Sequence, residues 1–404
     1  MEEDDWQACA RLCPTDDIPL YGVDDLGRRS IDDGWDIEAS RANWHDVDLL
    51  SSWIDEQKRE AQEQEIVPPI DITTLEGEQW AILEEYVNAY KEILEDKEPR
   101  QLLLNVDGTA GCGKTYLIRA ICQELHRMAT EHDELDPILV LAPSGMAALN
   151  IHGRTIHSAL SLPLNGFSLL TGTRLATMQI QWTGIHFVII DEKSMLGQRT
   201  LAMIDSRCRQ IFSEKANNPF SNLNIALVGD FAQLPPVGNT PLYSPPSSAA
   251  TENGNLGRDG SVLYQLFTRS YRLQIVHRQL GDSPEQVRFR DLLQHASQGG
   301  LSCEEWEFLD SRTERKLTPE VRKLFDNATC LYTTRNDVND LNLAELQALN
   351  QPCARINARH DGGSDAAKAP ADEAGGLESR IVLAKHAKVM ITRNIWQNQG
   401  VCDH

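Results

Sequence analysis

Three features of the sequence predict an α/β fold built on a parallel sheet. Short apolar runs of strand length recur at Leu102–Val106, Pro137–Ala142, Phe187–Ile190 and Ile225–Val228, with helix-spaced stretches between them. Runs so uniformly apolar suit strands buried on both faces, as parallel strands are. Polar or glycine-rich residues follow each run, at the carboxyl ends where open parallel sheets gather ligand chemistry. The third feature is Gly108-Thr109-Ala110-Gly111-Cys112-Gly113-Lys114-Thr115, directly after the first run. It reads G-x-x-x-x-G-K-T, the phosphate-binding loop (P-loop) of nucleoside triphosphatases (NTPases).

Strand and helix flank the loop as that motif requires, since Tyr116–Cys122 carries apolar residues at helical spacing. Its glycines let backbone N–H groups curl around a β-phosphate at the positive end of the following helix. Lys114 would reach the β- and γ-phosphates, and Thr115 would offer its hydroxyl to Mg²⁺. Cys112 reads as a tolerated small residue rather than a redox switch.

The chain has 404 residues, enough for two or three domains. No apolar run approaches the roughly 20 residues of a membrane-spanning helix, so no membrane partner is expected. The acidic start Met1-Glu2-Glu3-Asp4-Asp5 argues against a secretory signal or an Arg-rich transit peptide. Nine dispersed cysteines, with no C-x-x-C pair, fit a reducing compartment. The net charge is −22, of which residues 1–75 carry −14. The acidity is thus concentrated in the first segment and does not exclude a local track for nucleic acid elsewhere.

Residues 1–70 read as an acidic, Trp-containing leader, with Asp16-Asp17, Asp24-Asp25 and Asp32-Asp33 among Trp6, Trp35, Trp44 and Trp53. A solvated, partly disordered arm is expected, the alternative being a segment that engages a protein partner. Trp53–Gln64 has the makings of a charged helix, and Pro68-Pro69 marks a boundary. Helical signals resume at Thr74 and carry Gln79, whose amide could read an adenine edge. Past the loop helix, Pro143-Ser144-Gly145-Met146 and Gly153-Arg154-Thr155-Ile156-His157-Ser158 follow a strand. An ordinary connection with His157 as a hydrogen-bonded core residue fits them equally well.

The run Phe187–Ile190 delivers Asp191 and Glu192, adjacent acids that a strand points to opposite sides. Asp191 is the candidate Mg²⁺ residue and Glu192 the candidate base for an attacking water. A helix is predicted with Leu201, Ile204, Cys208 and Ile211 as its apolar stripe and Arg207 and Arg209 off it. The strand Ile225–Val228 opens into Gly229-Asp230-Phe231-Ala232-Gln233-Leu234-Pro235-Pro236, where Gln233 could touch a γ-phosphate or its water. Residues 238–262 read as a surface loop. Arg278 reads as a surface arginine on its own residues, or as a γ-phosphate sensor. A helical region from Pro284 to Leu309 has Phe289, Leu292, Leu293, Trp306 and Leu309 as expected core. A second α/β unit is predicted from Ala328, with a strand to Tyr332, a helix to Leu349, a loop over 361–376 and a last strand Ala387–Thr392.

Taken together these motifs resemble the Pif (petite-integration-frequency) family of ATP-dependent DNA helicases, relatives of RecD in superfamily 1. The resemblance rests on G-T-A-G-C-G-K-T, A-P-S-G-M-A-A, G-R-T-I-H-S, I-I-D-E-K-S-M, G-D-F-A-Q-L-P-P-V and H-R-Q in the family's order. Asp337…Asn342 and V-M-I-T-R-N-I-W add matches downstream. The style of the loop and of residues 260–279 looks closest to the Helitron-like branch.

The resemblance implies a RecA-like ATPase domain over 71–280 and a second, incomplete RecA-like domain over 281–404. It implies ATP with Mg²⁺ as cofactors and 5′→3′ movement on single-stranded DNA, with forked or structured DNA as substrate. Roles in DNA repair, recombination, telomere maintenance or transposon replication go with it, in the nucleus or, as the family allows, the mitochondrion. By position, Gln79 reads adenine and residues Gly108 to Thr115 hold phosphate. Thr115 and Asp191 hold the metal. Lys114, Glu192, Gln233 and Arg278 carry the catalysis, Arg278 as an arginine finger. Pro143, Ser144, Gly145, Thr155, His157 and Ser158 contact DNA.

The sequence departs from the family pattern in three places. Ser144 replaces a threonine, and Pro219-Phe220-Ser221-Asn222 lacks an expected double glycine. Val401-Cys402-Asp403-His404 stops before a late serine–arginine motif. A C-terminally truncated copy is therefore expected, with an ATP- and DNA-binding remnant that does not unwind as the alternative.

Overall fold

Six strands, β1 (Leu103–Gly108), β2 (Ile138–Ala142), β3 (Arg154–Thr155), β4 (Phe187–Ile190), β5 (Asn224–Gly229) and β6 (Arg269–Leu273), form one parallel sheet in the computed structural model. Their spatial order is β3-β2-β4-β5-β1-β6. The structure describes residues 69–163, 166–246, 252–275, 283–326, 328–358 and 378–390; residues 1–68 of the acidic leader and Arg278 lie outside them. Two compact units divide the described chain between Asp310 and Ser311. The helices after residue 281 thus group with the sheet as far as Asp310, beyond the 280/281 boundary expected from the sequence.

The helices of the first unit are α1 (Glu78–Leu94), α2 (Lys114–Glu131), α3 (Gly145–Asn150), α4 (Ile156–Ala159), α5 (Gly172–Gln181), α6 (Gln198–Ile211), α7 (Glu252–Tyr264), α8 (Pro284–Ser297) and α9 (Cys303–Asp310). Alternation along the strands explains how both sheet faces are covered. Leu104, Val106, Phe187, Ile189, Ala226 and Val228 pack with Ile82, Tyr86, Tyr90, Leu117 and Ile121 of α1 and α2. Val188, Ile190, Ile225 and Leu227 point the other way, into a core with Trp182, Leu201, Ile204, Cys208, Leu263 and Phe267. Side chains of adjacent strand positions face opposite ways, so a strand buried on both faces needs an unbroken apolar run.

Several sequence expectations change. Residues 252–262, read as loop, are helical in α7. Three glycines and two asparagines give this segment poor intrinsic helix propensity. Tertiary contact overrides that: a Cβ on Gly260 would sit 1.8 Å from the carbonyl oxygen of Gln198, so glycine lets α7 lie directly against the start of α6.

Arg207, set off the apolar stripe, is fully buried. Its guanidinium donates to the carbonyls of Leu160 (2.9 Å), Ser161 (3.3 Å) and Ser168 (3.1 Å) and lies over Phe167. The forked donor thereby satisfies backbone acceptors that the connection after α4 leaves open. Of the core expected over 284–309, Leu292 is buried and Leu309 half-buried. Phe289, Leu293 and Trp306 are exposed, and Gly299-Gly300 lie between the two helices.

In the second unit, α10 (Pro319–Lys323) and α11 (Arg335–Ala348) precede an antiparallel pair, β7 (Cys353–Asn357) and β8 (Arg380–Ala384). The strands expected at 328–332 and 387–392 are not strands where they are described. Among the described residues, β7 and β8 pair with each other instead.

The stretch Pro219-Phe220-Ser221-Asn222 holds three successive left-handed residues, Phe220 (φ 50°), Ser221 (φ 51°) and Asn222 (φ 65°). Each non-glycine residue in that region costs on the order of 1 kcal/mol. The Ser221 hydroxyl is also buried without a partner. Ser221→Gly is therefore expected to stabilise the protein by about 1 kcal/mol, read as a higher urea midpoint at unchanged slope. Gly260→Ala is expected to lower that midpoint, by about 1–3 kcal/mol of overpacking against Gln198.

Candidate functional site

Strand order puts the carboxyl ends of β4, β5 and β1 side by side. Asp191 and Glu192 follow β4, Asp230 to Gln233 follow β5, and the glycine loop follows β1. Register ties them: Ile190 pairs with Leu227, and Asp107 with Gly229. The loop enters α2 through Gly111 (φ 85°) and Gly113 (φ 80°), and Gly113 caps the helix. At Gly108 a Cβ would fall 2.3 Å from the Cys112 sulfur. Cys112 is buried, and burial pushes its thiol up against the opposing effect of Lys114. A protonated buried thiol is a packing group, as the sequence suggested.

Lys114 folds over its own loop, donating to the carbonyls of Gly108 (2.8 Å) and Thr109 (3.1 Å). Gln79, on α1, is buried and donates to the carbonyl of Cys112 at 3.4 Å. Its amide is thus spent on the phosphate loop in this structure. Thr115 stands in the first turn of α2.

Asp191 is almost wholly buried, and among the described residues one of its carboxylate oxygens has no hydrogen-bond partner. Burial raises its pKa to about 6; a hydrogen bond from the Glu192 backbone N–H opposes the rise, the Glu192 charge adds to it, and Lys114 opposes it. A desolvated carboxylate oxygen without a hydrogen-bond partner suits a hard cation, so the residues present fit Mg²⁺. Glu192 has left-handed backbone (φ 52°, ψ 47°) at the start of a single 3-10 turn, Lys193–Met195. That costly conformation turns consecutive side chains in different directions directly after the strand. Gln233 is drawn back onto the turn after β5, its amide donating to Asp230 at 3.4 Å.

The other candidate residues gather at a different part of the same edge. Ala142 pairs with Thr155, which brings Pro143-Ser144-Gly145 and Thr155–Ser158 together past β2 and β3. Ser144 caps α3 by accepting from the N–H of Ala147 (3.3 Å). Thr155 caps α4 by accepting from the N–H of Ser158 (3.3 Å), and its hydroxyl donates to that of Ser158 (2.8 Å). These hydroxyls shape the turns. His157 is half-buried, and among the described residues its ring has no hydrogen-bond partner, so it is not the bonded core histidine of the alternative reading. Burial lowers its pKa and favours the neutral ring.

Sequence reasoning missed Lys193, Asn105 and Asp107. Lys193 is fully buried, and its ammonium donates to Asn105 Oδ1 (2.6 Å), the carbonyl of Val106 (3.1 Å) and the carboxylate of Asp107. The available signal was a pair of polar residues, Asn105 and Asp107, within an otherwise apolar strand.

A model of the PIF1-like helicase family matches residues 74–307, more than half of the chain and all of the strand ends just described. The chain belongs to the PIF1-like helicase family. It is 31% identical over 264 residues to the ATP-dependent DNA helicase PIF1 of Saccharomyces cerevisiae, covering 64% of this chain and 28% of the yeast protein. Against the ATP-dependent DNA helicase Pif1 of a Psychrobacter species it is 25% identical, covering 71% of this chain and 41% of the bacterial protein. The chain therefore spans less than half the length of these relatives. The crystal structure of Pif1 helicase from Candida albicans shares the fold, with a TM-score of 0.57 at 22% identity over 80% of this chain and 66% of that one. The first unit is thus a RecA-like P-loop NTPase domain of this family.

Proposed function

We propose that the chain is an ATP-driven DNA motor that couples hydrolysis, with Mg²⁺, to 5′→3′ movement on single-stranded DNA and opening of forks, acting in the nucleus. The observation that carries this reading is the convergence of three strand ends. A glycine loop with Lys114, a buried acid with an unpaired oxygen, a strained glutamate and a glutamine meet at adjacent β1, β4 and β5.

In this reading the backbone N–H groups from Thr109 to Thr115 cradle the phosphates at the N-terminus of α2. Lys114 leaves the carbonyls of Gly108 and Thr109 to meet the β- and γ-phosphates. Gln79 either stays on the loop or turns to the adenine. The Thr115 hydroxyl and Asp191 hold Mg²⁺, which supplies neutralisation of the charge that develops on the transferred phosphoryl group. Glu192 accepts the proton of the attacking water, Gln233 orients that water or the γ-phosphate, and Arg278 acts as arginine finger. Pro143, Ser144, Gly145, Thr155, His157 and Ser158 line a DNA path on the β2–β3 side of the sheet edge. The neutral ring of His157 suits it to stack on a base rather than pair with phosphate. In support, relatives such as yeast PIF1 are named ATP-dependent DNA helicases, and a structural neighbour is described as unwinding forked duplex DNA.

ATPase assays with and without single-stranded DNA test the reading. Wild type is expected to turn over faster with DNA, and Lys114→Ala to lose both nucleotide affinity and turnover. Glu192→Gln is expected to keep nucleotide affinity while turnover falls about 10²–10⁴-fold, the usual contribution of a positioned base. Equal hydrolysis with and without DNA would sink the coupling. Nucleotide affinity with no turnover on any DNA would instead favour a binding module. Forks carrying only a 5′ or only a 3′ tail read the polarity, with unwinding expected on the 5′ tail.

A further inference from the structure

Lys193 links the three strand ends that form the candidate ATP site, its backbone at one and its ammonium at the others. Its backbone directly follows Glu192 on the turn after β4. Its acceptors, Asn105, Val106 and Asp107, are the last residues of β1 before the phosphate loop. Those two strands are not neighbours, because β5 lies between them. The lysine side chain therefore crosses the end of β5, and the sequence makes room for it there. A Cβ on Gly229 would stand 2.7 Å from the Lys193 nitrogen and 3.0 Å from its Cγ. Beyond Gly229, the ring of Phe231 closes over the ammonium at 4.7 Å.

Burying an ammonium is costly unless charge and hydrogen bonds compensate it. Here one anionic and two neutral acceptors, with an aromatic face, meet that requirement. All of them sit at the mouth of the phosphate loop. A group held only for packing would not need its three acceptors on the strand that feeds that loop. We propose that Lys193 is a positioning residue, which fixes the distance between the Asp191–Glu192 turn and the phosphate loop so that Asp191 and Thr115 can grip one Mg²⁺ together. This rests on the nucleotide-site reading above. Lys193 itself does not contact the nucleotide.

The test measures affinity for a fluorescent, non-hydrolysable ATP analogue in EDTA and in Mg²⁺, on wild type, Lys193→Met and Asp107→Asn, with a thermal melt of each. In EDTA the loop alone binds, so Lys193→Met is expected to match wild type within about threefold. The gain in affinity on adding Mg²⁺ is expected to fall by about tenfold or more, as when an outer partner of a metal ligand is removed. Asp107→Asn keeps the lysine and is expected to lose a smaller part of the gain.

A Lys193→Met protein that melts cooperatively and keeps the wild-type Mg²⁺ gain overturns the inference. If that variant does not fold, an unchanged gain in Asp107→Asn overturns it. Wild type without affinity for the analogue would sink the nucleotide-site reading and this inference with it. Wild type with a Mg²⁺ gain but no hydrolysis would sink the motor reading alone.

Discussion

Burial of both faces of one parallel sheet is the constraint from which the rest of this structure follows. Phe187 and Ile189 face one core, Val188 and Ile190 the other, and β5 repeats the pattern with Ile225 and Leu227 against Ala226 and Val228. The middles of β4 and β5 are filled by apolar side chains on both faces, so the candidate chemistry lies at the strand ends. The order β4-β5-β1 then places the acids, the glutamine turn and the glycine loop side by side. The same edge continues to β2 and β3, where capped turns carry a second set of polar residues. Both sets of polar residues thus sit on one edge of a single sheet.

Desolvation does further work at that edge. Asp191 and Lys193, separated by one residue, are both buried, and burial pushes each toward its neutral form. Lys193 is met by acceptors within the protein, whereas one oxygen of Asp191 is met by nothing there. The asymmetry separates a structural charge from one left available for a ligand. Between them Glu192 takes a left-handed backbone, which no glycine relieves. Strain of this kind persists only where surrounding structure over-determines it, here the buried groups on either side.

Strands β1, β2, β4 and β5 and the phosphate loop were legible because their signals are local. An apolar run of four to six residues, followed by glycines and a lysine, needs no knowledge of the rest of the chain. What escaped the sequence depends on distant partners. Helix α7 has glycines and asparagines typical of a loop, but it packs against α6 through Gly260 and buries Leu263 in the core. Arg207 reads as a surface residue until the carbonyls of Leu160, Ser161 and Ser168 are seen to surround it. Lys193 reads as a charge trailing two acids, because its acceptors precede it by more than 80 residues. Exposure of Phe289 and Trp306 was hidden for the converse reason, since helical periodicity gives the apolar face but not what covers it.

The stretch after Pro219 shows how backbone can be set by context rather than by its own residues. Where two glycines were expected, Ser221 and Asn222 still adopt left-handed conformations, and Phe220 joins them. Their anchors lie outside the turn. The N–H of Phe220 donates to Asp205 at 2.6 Å, and Asp205 is held by Arg209 at 2.7 Å one turn along α6. The Phe220 ring is buried edge-on against Phe267, with centroids 5.9 Å apart. Hydrogen bond and aromatic packing each contribute about 1 kcal/mol, comparable to the cost of one left-handed residue. The turn therefore keeps the shape that β5 needs to enter the sheet between β4 and β1. The turn is anchored by α6, and β5, which ends at Gly229, stays in register with β4 and β1.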